Sequence, residues 1–300
     1  MILRLSLVNA VLRRVVRPKL RRTLTPDEAD RDFARAARLI FRHPPYLLHQ
    51  ERRLNGLRVH WLRTPQVRQD RVILYVHGGA YFSGSGETHA GLAGRLGKCA
   101  GTQVVLPDYR LLQEAPFPAA FDDVLGTWQG LRSLGYAPGD IAVAGDSAGG
   151  GLALALLAHL LAEGERPAAL FAMSPWVDLT LSGETLETPK EALLPVERMP
   201  EVVELYAAGT APEDPRLSPL FADWTDPPPV LIQVGRDEAL KSDADRMAQV
   251  LRDAGGTVTL QHWPDVFHVW QIMDGWLPEA RAALRAGGDF LQTSLDNANR

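Results

Sequence analysis

Apolar positions in this chain follow two alternating rhythms, and the alternation predicts the architecture. Short, near-continuous apolar runs read as buried strands at Leu54–Leu62, Val72–Val76, Gln103–Pro107, Ile141–Ala144, Ala168–Ser174, Val230–Val234 and Val258–Trp263. Between them, apolar residues recur at helical spacing over His89–Ala100, Ala119–Leu134, Leu152–Leu161, Ser242–Ala254 and Pro278–Ser294. Strands apolar on both faces, alternating with helices, specify an α/β fold with a mostly parallel central sheet flanked by helices. Pro65–Arg71 reads as a turn region and Asp296–Arg300 as a frayed end. Val258–Trp263 is the last strand in chain order and is expected at a sheet edge. An unprotected edge recruits a partner, so a homodimer joined there is expected.

Two stretches depart from the alternation. In the first, Ile2, Leu3, Leu5, Val8, Leu12 and Val16 recur at helical spacing, and Thr25-Pro26-Asp27-Glu28 caps a second helix over Ala29–Phe41. His43-Pro44-Pro45 stops it. Met1–Arg22 is arginine-rich and acid-free, but Arg4, Arg13, Arg14 and Arg17 interrupt its apolar positions. That rules out the unbroken core of a signal peptide. The expectation is an amphipathic helix packed on the body, with contact to anionic lipid as the alternative. In the second stretch, Trp176–Pro229, Thr, Pro, Glu and Asp are frequent and only Val196–Ala208 looks helical. It reads as an insertion over the sheet.

Composition narrows the class. With 300 residues and 46% hydrophobic content, one large domain can bury a sizeable core. A net charge of -4 supplies no basic field for nucleic acid. The one cysteine, Cys99, excludes an internal disulfide and fits a reducing, cytoplasmic setting. No apolar run reaches the roughly 18 residues that a membrane span needs. The glycines of Ser83-Gly84-Ser85-Gly86 come with neither Gly-Lys-Ser/Thr nor G-x-G-x-x-G, so no nucleotide is expected. No cofactor or metal is expected either.

Chemistry concentrates where a strand turns straight into a helix. Gly145-Asp146-Ser147-Ala148-Gly149 matches G-x-S-x-G between the run Ile141–Ala144 and the helix Leu152–Leu161. Such a turn strains its corner residue and pushes that side chain outward, while any Cβ on the flanking glycines would meet backbone. Ser147 is therefore the candidate nucleophile. A serine hydroxyl needs a base, an orienter for the base, and donors for an oxyanion. On such a scaffold an acid and then a histidine follow the serine in chain order. His268 comes after every predicted strand, in a loop, and is the candidate base. Gly235-Arg236-Asp237-Glu238-Ala239-Leu240 follows a strand and offers two adjacent carboxylates, between which spacing does not choose. Asp243 and Asp245 read as helix-start residues. His77-Gly78-Gly79-Ala80 also follows a strand, and the N–H groups of Gly78, Gly79 and Ala148 are the expected oxyanion hole. His77 is expected to hold that loop by a hydrogen bond without ionising.

Together these residues resemble the hormone-sensitive-lipase-like branch of the α/β-hydrolases. The matching motifs are His77-Gly-Gly-Ala-Tyr, Pro107-Asp-Tyr-Arg-Leu, Pro116-Phe-Pro-Ala-Ala, Gly145-Asp-Ser-Ala-Gly-Gly, Ser174-Pro-Trp-Val-Asp-Leu and Phe267-His268-Val-Trp. The resemblance implies an α/β-hydrolase fold and a helical cap made from about residues 1–45 plus an insertion over about 176–225. It also implies cofactor-free hydrolysis of short- to medium-chain carboxylic esters through an acyl-enzyme. A lactone or amide hydrolase with the same triad, or a non-catalytic binding protein on this fold, is the alternative. The family places its acid in Asp-x-Leu; the residue two before Leu240 is Glu238, so the resemblance selects Glu238, with Asp237 as the alternative.

Overall fold

The computed structural model describes residues 3–23, 25–186, 188 and 190–298. Eight strands form one sheet: β1 (Leu48–Leu54), β2 (Leu57–Arg63), β3 (Arg68–Val76), β4 (Thr102–Pro107), β5 (Ile141–Asp146), β6 (Ala169–Met173), β7 (Val230–Gly235) and β8 (Val258–Trp263). Their order is β1-β2-β4-β3-β5-β6-β7-β8. Pairings of β2 with β1 and with β4 are antiparallel; every other pairing is parallel. The chain leaves β3 for β4 on one side and reaches β5 on the other. Sheets of this kind open a crevice outside the carboxyl ends of their strands where the order reverses.

The apolar runs become strands because both of their faces are covered. On one face lie α5 (Ala119–Ser133), α6 (Ser147–Ala162) and α8 (Lys241–Asp253); on the other lie α4 (Gly86–Cys99) and α9 (Pro278–Asn297). α6 is apolar nearly all round and is buried along almost its whole length, as a central core helix must be.

Among the boundaries that differ from the sequence reading, three have a clear physical reason. Leu54 ends β1 instead of opening a strand, and Asn55-Gly56, both at positive φ, turn the chain into β2. β1 (LHQERRL) is a largely polar edge strand, so no apolar run announces it. β3 already begins at Arg68, inside the expected turn region, because its first three residues are exposed and polar. The last helix runs to Asn297, with Asp296 held by Arg71 at 2.6 Å. Ile2 of the expected N-terminal stripe, and Asn299 and Arg300 of the expected frayed end, lie outside the described residues.

The N-terminal segment is one helical rod: α1 (Leu5–Val11), a π-helical stretch over Leu12–Val16, and α2 (Arg17–Arg22). Pro18 has no N–H to give the carbonyl four residues back, which accounts for the wide turn before it. α3 (Pro26–Ile40) follows, with Thr25 Oγ1 accepting the Glu28 N–H at 3.2 Å as its cap. Leu3, Leu5, Val8 and Leu12 pack on a cluster built from Val266, Phe267, Trp270, Met273 and Leu277. The same rod grips the insertion: Arg13 Nη2 donates to Lys190 O (2.6 Å), Arg17 Nη1 to Glu191 O (3.0 Å), and Arg198 of the insertion reaches back to Thr23 O. Asn9 Nδ2 bonds Asp265 O at 2.6 Å. Within the insertion, α7 (Met199–Ala207) is the one α-helix among the described residues.

Candidate active site

Ser147 sits where β5 passes into α6, at a φ of 52°. Left-handed backbone is unusual for a residue with a Cβ and aims its side chain out of the turn. Glycine is required on both sides. A Cβ on Gly149 would lie 2.2 Å from His77 O, and one on Gly145 would lie 2.5 Å from Gly149 O. Ser147 Oγ is 2.8 Å from His268 Nε2, and His268 Nδ1 is 2.9 Å from Glu238 Oε2. A carboxylate only accepts, so Nδ1 carries the hydrogen and Nε2 is left to accept from the serine.

The acid is held on its other side as well. Glu238 Oε1 accepts from the Gly235 N–H (2.6 Å) and from Ser174 Oγ (2.9 Å). Ser174 Oγ in turn accepts the Val269 N–H at 3.4 Å, so one hydroxyl joins the loops that carry acid and base. The sequence reading assigned no role to Ser174; its signal was its position just past β6, beside the end of β7. Asp237 is turned away from His268 and pairs with Lys190 Nζ at 3.2 Å. The structure therefore brings Ser147, His268 and Glu238 together and leaves Asp237 outside.

Burial alone would lower the affinity of His268 for a proton. The Glu238 hydrogen bond and charge, then the charges of Glu191 and Asp146, outweigh it and lift His268 above its ordinary value. Glu191, in the insertion, was also unassigned in the sequence. Its buried carboxylate accepts the N–H groups of Leu193 (2.7 Å), Leu194 (3.1 Å) and Ala239 (2.9 Å), the last being the residue after Glu238.

One expected oxyanion donor is corrected. Gly78 N–H is already bonded to Asp146 Oδ1 at 3.1 Å, and a Cβ on Gly78 would lie 2.2 Å from Asp146 Oδ2. Gly78 thus lets the loop lie against a buried carboxylate instead of facing the serine. Among the described residues the N–H groups of Gly79 and Ala80 have no acceptor, and both residues have positive φ. Ala148 N–H, in the first turn of α6, has no partner within its helix. Ala80 was missed because glycine content drew attention to the residues before it.

His77 is stacked on Tyr109 (ring centroids 4.1 Å apart), and its Nδ1 donates to Gly78 O at 2.9 Å. Burial and the charge of His89 push its pKa down to about 4, so it is neutral at physiological pH. Asp243 does more than open a helix. It is buried, accepts the N–H groups of Val177 and Asp178 (3.1 and 3.2 Å), and ties down the start of the insertion. Burial lifts its pKa to about 7, against the pull of Arg246. Asp245 bonds His262 Nε2 at 2.6 Å.

One group could invite a metal ion: ligand atoms of His49, His60 and Glu87 lie within 4.8 Å of one another. Yet His49 Nε2 and His60 Nδ1 are 2.6 Å apart. Two ligands of a tetrahedral ion stand about 3.4 Å apart. The shorter spacing is a hydrogen bond, continued from His60 Nε2 to Asp108 Oδ2 at 2.9 Å.

Comparison with known proteins adds to this geometry. The family model described as the alpha/beta hydrolase fold matches residues 73–272. An acetyl-hydrolase of Streptomyces hygroscopicus is 43% identical over 238 residues, covering 78% of this chain and 79% of its own. An esterase of Acinetobacter venetianus is 34% identical over 292 residues, covering 96% and 95%. Among solved structures, an esterase from the bacterial hormone-sensitive lipase family superposes with a TM-score of 0.91 at 35% identity, covering 97% of this chain and 98% of that one.

Proposed function

Because the chain belongs to the α/β-hydrolases, in the hormone-sensitive-lipase branch, and is a serine carboxylesterase, we propose that Ser147, His268 and Glu238 are its catalytic triad. Ser147 Oγ attacks the ester carbonyl carbon while His268 Nε2 takes its proton. Glu238 keeps the imidazole oriented and stabilises the imidazolium. The N–H groups of Gly79, Ala80 and Ala148 hold the oxyanion. Collapse of the tetrahedral intermediate expels the alcohol, protonated by His268, and leaves an acyl-serine. Water, deprotonated by the same histidine, then releases the acid. The observation that carries this reading is the unbroken pair of hydrogen bonds, 2.8 and 2.9 Å, from serine to acid. Neither step needs a cofactor.

The test is stoichiometric labelling by a fluorophosphonate probe, mapped to Ser147, alongside loss of p-nitrophenyl ester hydrolysis in Ser147→Ala. A chain that resists the probe, or labels elsewhere, is not using this triad.

The N-terminal helices to about residue 45 and the insertion over about 176–225 act as a cap, supported by their mutual hydrogen bonds above the acid loop. Acyl chains are short to medium. Among the described residues β8 is bonded to one neighbour, β7, and its free edge supports a homodimer joined there. No helix among the described residues is long and apolar enough to cross a membrane. A cytoplasmic site of action is supported by the one free cysteine, Cys99, and the net negative charge is the ground for expecting no nucleic-acid partner.

A further inference from the structure

We propose that the outer face of the N-terminal rod is a docking surface for an anionic lipid bilayer. The rod has two apolar sides. Its inner stripe is occupied by the cluster around Phe267 and Trp270. Its outer stripe is Leu7, Val11 and Val15, four residues apart each time, at 59%, 47% and 61% exposure. Leu39 and Ile40, at the end of α3, are exposed too. They lie beside the start of the rod, because Trp276 accepts the Leu3 N–H and donates its indole N–H to Ile40 O. Five of the ten large apolar side chains that stand exposed among the described residues therefore belong to this rod and the helix end beside it. A patch of that kind on an otherwise charged surface marks an interaction site.

Charge decides the occupant. Residues 3–23 hold Arg4, Arg13, Arg14, Arg17, Lys19, Arg21 and Arg22 and no acid, in a chain of net charge -4. Arg13 and Arg17 are spent on insertion carbonyls. Arg4, Arg14 and Arg22 have no acceptor among the described residues and fall on the outward side of the rod, interleaved with the apolar stripe. Apolar residues flanked by unpaired arginines match the depth profile of a lipid interface, with side chains entering the acyl boundary and guanidinium groups at the phosphates. A second copy of the chain would instead bring two acid-free basic rods together. The helix lies in the membrane plane and spans nothing. This surface is independent of the hydrolytic reading, because binding to it requires no turnover.

Full-length protein should co-sediment with phosphatidylcholine–phosphatidylglycerol vesicles at low salt, be released as salt rises, and ignore vesicles of phosphatidylcholine alone. The triple variant Arg4→Gln/Arg14→Gln/Arg22→Gln should bind about 100-fold more weakly. Leu7→Ser/Val11→Ser/Val15→Ser should lose on the order of 1000-fold. Both should melt like the parent and hydrolyse dissolved p-nitrophenyl butyrate as it does, which separates lost docking from lost folding. Equal binding to both vesicle types, or variants that bind as the parent does, would overturn the proposal. So would parent protein that ignores vesicles but self-associates in a manner the serine variant abolishes; the patch would then belong to a second copy.

Discussion

Glu238 and Asp237 are neighbours, yet their surroundings divide the work. Glu238 is buried against His268, Ser174 and the Gly235 N–H, while Asp237 faces Lys190. Glu238→Gln should lower kcat by about 10⁴, the loss seen when the serine-protease template loses its acid. Asp237→Asn should remain within a few-fold of the parent, and a kinetic comparison of the two decides between them. pH supplies a second handle at this scale. His268 must be neutral to act as a base, and its proton affinity is raised by Glu238 and, at longer range, by Glu191. Activity should therefore fall with acidification through a midpoint above the ordinary histidine value of 6.5. Glu191→Gln removes one of the raising charges, so the acid limb of kcat/KM should move to lower pH. An unmoved limb would mean that Glu191 acts on the Ala239 loop by geometry alone. The linkage to stability runs the opposite way: protonated His268 favours the fold fully below the unfolded value, and this contribution is lost as pH rises through the raised one.

At the scale of elements, the strongest dependence is of the acid and base loops on the rod above them. Deleting residues 2–41 uncovers Val266, Phe267, Trp270 and Met273, next to His268. Soluble yield should fall, or the chain-length preference across a p-nitrophenyl ester series should shift, with Ser147, Glu238 and His268 still present. The legibility of elements in the sequence follows from burial. β5, β6 and β7 were readable because both of their faces are apolar, and Ser147 was readable because glycines frame it. β1 and the first residues of β3 were not, because exposed strand positions accept polar residues that also suit turns. The choice of Gly78 as a donor went wrong for a related reason. Glycine content marks where backbone must approach something closely, and at Gly78 that something is the Asp146 carboxylate. Ser174 and Glu191 act through contacts 64 and 48 residues away in the chain, which no local pattern encodes.

At the scale of the whole molecule, the sheet closes at neither end. β8 lies at one edge, with Thr259 exposed. If two copies pair there, sedimentation at micromolar concentration should show a dimer, and Thr259→Lys, which places a charge on the edge, should give monomers with unchanged activity. The rod at the other end of the chain has a consequence for how the protein is made. Its acceptors at Lys190, Glu191 and Asp265 lie 177, 174 and 256 residues downstream. At a synthesis rate of about 5–20 residues per second, the helix emerges roughly 10 to 50 s before those partners exist. Through that interval both of its apolar sides are bare, so a helix synthesised well before its partners must wait for them, and the acid and base loops stay unclamped until it docks.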